Sequence, residues 1–183
     1  MSKKGFTLVE VLAVVLIIGI LTVIALPQYR NITERAKIQG AITRLRIIFD
    51  ASERLAAANG YKNFSSFARA KQAEYKEAGK GNYPFFQKMG IFDDDEFSHC
   101  DKLNATISLS CKEEVFTVAP QTGDYGYVEM YHSGKVGTDF ANLLSIKLYR
   151  TNPPRLTCGK YNNSGDQSGA IRKKCEIYGI DSD

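Results

Sequence analysis

Hydrophobic and polar positions divide the chain into three regimes. From Phe6 to Leu26 the run FTLVEVLAVVLIIGILTVIAL is apolar except for Glu10 and scattered threonine and glycine. It is about the roughly 20 residues that a helix needs to cross a bilayer. A carboxylate inside such a run costs on the order of 2.5–3.5 kcal/mol at mid-bilayer. An anchor alone would carry Leu there, so Glu10 calls for a partner. Past the run the pattern becomes amphipathic. Ile32, Ala36, Ile42, Leu45, Phe49, Ser52 and Leu55 recur at helical spacing. Arg30, Glu34, Arg35, Lys37, Arg44, Arg46, Asp50, Glu53 and Arg54 lie between them, and Gly60 is a natural stop. The pattern predicts one helix from Phe6 to about Asn59, apolar all round at its start and striped at its end. Pro27 removes a backbone donor within it, and Gly19 lowers its helix propensity.

The third regime is mixed. Between Tyr61 and Asp101 aromatic residues recur among Gly, Lys and Ala. Residues 65–78 read as a short helix with Ser65 or Ser66 near its N-cap, broken by Gly79 and Gly81. Strand signals follow at Thr106–Cys111, Val115–Ala119, Tyr125–His132 and Leu143–Arg150, the last stopped by Pro153-Pro154. Short strands in succession favour an antiparallel meander, and the amphipathic helix buries its stripe on one face of it. The expected fold is therefore α+β: a long N-terminal helix packed on a four-stranded antiparallel sheet.

Charge and cysteine refine this picture. The chain of 183 residues has a net charge of +4, too mild to imply a polyanionic partner by itself. Lys3 and Lys4 precede the apolar run, which by the positive-inside rule keeps the N-terminus in the cytoplasm and sends the domain out. A cleaved secretory signal fits poorly. The apolar stretch exceeds the usual 7–15 residues and contains Glu10, and the helical pattern continues past Pro27. A plain uncleaved anchor is the other alternative. Four cysteines, Cys100, Cys111, Cys158 and Cys175, form no C-x-x-C pair. Beyond a membrane segment they read as disulfides in an oxidising compartment. Cys100 and Cys111 flank the first strand signal, and Cys158 and Cys175 enclose a polar stretch. Pairing neighbours in sequence is the preferred one of three connectivities.

The segment Lys3-Lys4-Gly5-Phe6-Thr7-Leu8-Val9-Glu10, with Gly19, Pro27 and Tyr29 beyond it, resembles the processing site and helix of type IV pilins and of type II secretion pseudopilins. The resemblance covers about the first 35 residues, a span set by the aligned leader, acid and apolar run. It implies cleavage by a prepilin peptidase between Gly5 and Phe6, and N-methylation of Phe6. Loss of Lys3 and Lys4 with the leader takes the net charge from +4 to +2. Cleavage also frees an amine, with a reference pKa of about 7.7–8.0, four residues before Glu10. The two can pair along one helix or, as the resemblance implies, between neighbouring subunits. The family further implies a stretch between Gly19 and Pro27 that unwinds when the subunit leaves the membrane.

By that resemblance residues 1–5 form the leader, 6–27 the transmembrane and assembly helix, and 28–183 the domain outside the cytoplasm. The domain divides into an amphipathic helix (28–59), an αβ-loop (61–101), a sheet (105–150) and a disulfide-bounded C-terminal loop (158–175). Such a loop is a pilin feature; major pseudopilins usually lack it. The implied partners are copies of the same chain, the peptidase and N-methyltransferase, an inner-membrane assembly platform and the bacterial inner membrane. The implied destination is a surface filament.

No enzyme is expected, because His99 and His132 belong to no nucleophile or base constellation. No cofactor or metal is expected either. Asp93–Glu96 lacks the spacing of a calcium loop and reads as a solvated acidic turn. The C-terminal region is basic at Lys147, Arg150, Arg155, Lys160, Arg172, Lys173 and Lys174. Within it Arg155, Lys160, Arg172, Lys173 and Lys174 are candidate contacts to DNA phosphates. The competing reading is a solvated rim, or a contact to the acidic turn of a neighbour. Three functions follow: a pilus subunit, a secretion pseudopilin, and a DNA-binding minor pilin.

Overall fold

The computed structural model describes residues 7–93, 95–101, 107–111, 114–119, 127–132, 144–151, 153–160 and 169–182. Helix α1 runs Leu8–Ala58, unbroken across Gly19 and Pro27. The chain divides into two compact units, Met1–Ile38 and Gln39–Asp183, each described here on its own.

In the second unit the end of α1 lies over a sheet. Its buried side chains are Ala41, Ile42, Leu45, Ile48, Phe49, Ala51, Ser52 and Ala56. The expected stripe holds from Ile42 onward. Ile32 and Ala36, also predicted to lie on it, are exposed. The helix ends where predicted: Gly60 adopts φ +78°, and the amides of Gly60 and Tyr61 donate back to the carbonyls of Ala57 and Ala56. This is a Schellman stop, which needs the left-handed conformation that glycine adopts at no cost.

The segment after it is more ordered than its loose pattern suggests. Helix α2 spans Phe64–Glu77 and helix α3 spans Phe85–Lys88, followed by a single 3₁₀ turn at Asp95–Phe97. The N-cap of α2 is Asn63 rather than a serine. Its extended backbone aims the side-chain oxygen at the amide of Ser66, 2.9 Å away. Asn is among the strongest N-caps, and an acceptor one turn before Ser66 satisfies the donor the helix start leaves open. Under these helices Phe64, Phe67, Tyr83 and Phe85 form edge-to-face and tilted contacts with centroids 4.8–6.2 Å apart. That spacing is in the range where aromatic pairs gain beyond simple burial.

The sheet departs from expectation in strand number. Strands β1 (Ser108–Cys111), β2 (Glu114–Ala119), β3 (Tyr127–His132), β4 (Leu144–Tyr149) and β5 (Arg155–Lys160) run antiparallel in chain order. So there are five antiparallel strands, not four. A two-residue strand, β6 (Asp181–Ser182), adds to β5 in parallel. Pro153-Pro154 makes the β4–β5 connection instead of ending the sheet. The fifth strand escaped notice because Leu156 and Cys158 are its only apolar residues. The predicted C-terminal loop likewise contains part of β5 and helix α4 (Ala170–Tyr178).

Register puts Leu109, Phe116, Val118, Val128, Met130, Ile146, Leu148 and Cys158 on one face, all buried. The opposite face is polar yet buried at Glu129, Ser145, Lys147 and Thr157, where the Ser145 hydroxyl donates to Glu129. Disulfides join Cys100 to Cys111 and Cys158 to Cys175. The second ties β5 to α4. Closing a loop of such length is worth roughly 3 kcal/mol in the chain-entropy model.

One buried cation links helix, sheet and α2. Arg150 follows β4, pairs with Glu53 of α1 and donates to Ser52 Oγ at 2.6 Å. Its guanidinium lies 4.7 Å from the ring centroids of both Phe49 and Phe64. Burial pulls its pKa down to about 9, which leaves it cationic at neutral pH. Removing one member of a buried pair costs about 3–5 kcal/mol, because the partner and the cavity stay behind. Arg150→Ala is therefore expected to lower the melting temperature of the full chain in detergent by about 10 °C. Arg150→Met keeps the packing and is expected to lose less than half as much. Because folding lowers this base's pKa, the stability it withholds returns as pH rises through about 9 toward its unfolded value.

Candidate functional site

The first unit is built from an apolar helix without a core. Every large apolar side chain from Leu8 to Leu26 is exposed, from 48% at Leu26 to 78% at Leu8. Among the described residues, α1 alone is long and apolar enough to cross a membrane. Its lone threonine at mid-run, Thr22, returns its hydroxyl to the carbonyl of Ile18 at 2.7 Å, so no hydroxyl is left bare. Pro27 and Gly19 share one face with Thr22, Val23, Leu26, Arg30 and Asn31, which line a shallow groove. A Cβ added at Gly19 meets nothing within 4 Å, so packing inside the chain does not require glycine there.

Glu10 has a partner that the apolar pattern does not announce. Its Oε2 accepts from both the backbone amide and the hydroxyl of Thr7, each at 2.8 Å. In return the Glu10 amide donates to Thr7 Oγ1 at 3.3 Å. This is a reciprocal capping box, T-x-x-E, which satisfies two of the donors a helix start leaves open. The carboxylate also sits at the positive end of the helix dipole. The three-residue spacing of Thr7 and Glu10 is the sequence signal for this capping box. Gly5 and Phe6, the expected cleavage and methylation positions, lie outside the described residues.

The other predicted residues are placed as follows. Arg155, Arg172, Lys173 and Lys174 are exposed, and Arg172 pairs with Glu176 at 3.6 Å along α4. Lys160 is on β5, its side chain outside the described set. Lys147 and Arg150, counted in the same basic region, are drawn into the domain; Lys147 Nζ lies 5.5 Å from the Tyr127 ring centroid. The basic surface is thus smaller than the sequence suggests. Among the described residues one cluster has metal-ligand types, His99 with Cys100 and Cys111, but both sulfurs are bound to each other. A disulfide offers no thiolate to a metal. Sequence reasoning also missed Arg44, whose guanidinium forks onto Glu114 at 2.5–2.9 Å and reaches Glu96 at 3.5 Å. Its helical position gave no sign of a partner 70 residues away.

Comparison with known proteins points to the same segment. Residues 1–26 match the model of the prokaryotic N-terminal methylation motif. A fimbrial protein of Pseudomonas aeruginosa is 40% identical over 74 residues, 40% of this chain and 47% of the relative. The type IV major pilin protein PilE1 of Neisseria gonorrhoeae is 50% identical over 40 residues, 22% of this chain and 24% of the relative. The chain thus spans less than half the length of the relatives it matches. No solved structure matches it.

The capping box has a direct test. In Thr7→Ala the hydroxyl that serves Glu10 is lost, and the amides of Glu10 and Val11 are expected to exchange several-fold faster in micelles. Thr7→Ser should retain near wild-type rates. Unchanged exchange in Thr7→Ala would mean that the carboxylate alone holds the first turn.

Proposed function

We propose that this chain, whose N-terminal segment is that of the type IV pilin family, is a structural subunit of a pilus filament. One observation carries the reading. Helix α1 exposes a full bilayer's length of apolar side chains, with one carboxylate placed at its start. Such a surface is stable in only two settings, the hydrocarbon of a membrane or a packed bundle of like helices. A subunit that moves from the first to the second needs both.

In this reading the precursor rests in the inner membrane with its domain outside the cytoplasm. A prepilin peptidase cuts after Gly5 and methylates the new Phe6 amine. An assembly platform then passes the subunit into the filament. The amine supplies a cation within reach of Glu10, whose carboxylate already faces the helix start. In the bundle a carboxylate and ammonium of adjacent copies neutralise each other, and only one axial offset brings them together. The stretch from Gly19 to Pro27 is where the helix gives way on extraction. The Cys158–Cys175 bridge supports a pilus over a secretion pseudopilus, since a disulfide-bounded C-terminal region is a pilin feature.

Glu10→Val is expected to leave the protein in the membrane at normal level but to remove it from surface fibres. Normal fibres from cells carrying only that variant would sink the pairing. Mass spectrometry of sheared fibres is expected to find a dominant chain that begins with methylated Phe6. An intact Met1 there would overturn the processing scheme.

A further inference from the structure

A groove between α2 and the sheet plays no part in the assembly helix. Its helical wall is Arg69, Gln72, Ala73 and Lys76, spaced one and two turns apart; its sheet wall is Ile107 and Val118. It encloses about 460 Å³. Arg69 and Lys76 are exposed, Val118 is buried, and the Val118 amide donates to the Ile107 carbonyl at 3.1 Å to hold the sheet side together. Seven residues of helix set the two cations about 10 Å apart along the axis. The result is an apolar trough with a positive charge near each end.

The same domain carries a complementary projection. Asp93, Asp95 and Glu96 are exposed on the turn before Phe97. That turn is rigidly rooted. Phe97 is fully buried with its ring 6.5 Å from that of Phe116, the Cys100–Cys111 bridge follows, and Glu96 reaches Arg44. Arg44 is in turn clamped on Glu114, so the turn sits by the Glu114 end of β2. The groove sits by Val118, four residues along the same strand, about 13 Å away. The turn of one chain, rooted at Phe97 and Glu96, is thus held at the other end of β2 from its own groove.

We propose that the α2 groove is a socket for the acidic turn of a second copy of this chain. Projection and socket are different surfaces at opposite ends of one strand, so the contact is head-to-tail. Repeated with a rotation that does not close into a ring, such a contact generates an open helical series. It rests on the filament reading, which supplies the stacked copies. In it Asp93 and Asp95 face Arg69 and Lys76, and the apolar floor excludes water, which strengthens the attraction. A polyanion such as DNA fits less well, since backbone binding wants a longer row of cations than the two present.

The test uses the full chain in cells that make fibres. Reversing the socket (Arg69→Glu with Lys76→Glu) or the turn (Asp93→Lys with Asp95→Lys) is expected to cut recovered fibre at least tenfold. The four-site combination should restore it to within about threefold of wild type, as a double-mutant cycle requires. Melting of each purified variant in detergent should match wild type, since these side chains are exposed. As a second measurement, Lys76→Cys with Asp95→Cys should give disulfide-linked ladders in purified fibres, and neither single variant should. Wild-type fibre yield from both reversals, no rescue in combination, or fibres without ladders would overturn the socket and leave the filament standing. Absence of any fibre from the wild-type chain would overturn both.

Discussion

An apolar helix must be covered. The large apolar side chains from Leu8 to Leu26 are each worth roughly 1.5–3 kcal/mol when taken out of water, and the chain itself leaves them all exposed. The domain beyond Gln39 has its own core and needs nothing from the first unit to be compact. The first unit has no core and needs a partner surface at every stage of its life. In the proposed filament reading, this separation lets the subunit pass from membrane to polymer without refolding the domain.

The acid at the head of that helix is held by ordinary helix chemistry before any partner arrives. Thr7 and Glu10 serve each other, and the helix dipole favours the negative charge there. A carboxylate fixed in this way is preorganised: its side chain loses little freedom on meeting a cation. The buried Arg150 works by the same logic inside the domain. Its aromatic and carboxylate neighbours come from two helices, α1 and α2, so the charge is tolerated only when both are in place against the end of β4. Both groups cost free energy in isolation and specify an arrangement when satisfied.

Much of this was legible in the residue pattern. The length of α1, its stop at Gly60, the disposition of β1 to β4 and the neighbour-wise cysteine pairing follow from periodicity, glycine and spacing. The parts that escaped lie where the apolar signal is thin. Strand β5 has two apolar side chains, and α4 is rich in lysine and arginine, so both read as loop. Lys147 and Arg150 look like surface cations in sequence, because nothing local shows that a sheet face and a helix will close over them. Ile32 and Ala36 keep the spacing of the stripe but precede the point where the sheet begins to offer cover. At the acid itself, the T-x-x-E signature is embedded in an apolar run, where its polar partner is a single threonine.

The Cys158–Cys175 bridge bears on resistance to proteolysis. It joins β5 to α4 around the whole stretch 159–174. A protease that cuts the backbone anywhere in that stretch severs the chain without releasing a fragment. Helix α4 and β6 stay tethered to the sheet through sulfur. A nick within 159–174 therefore leaves the sheet its final strand.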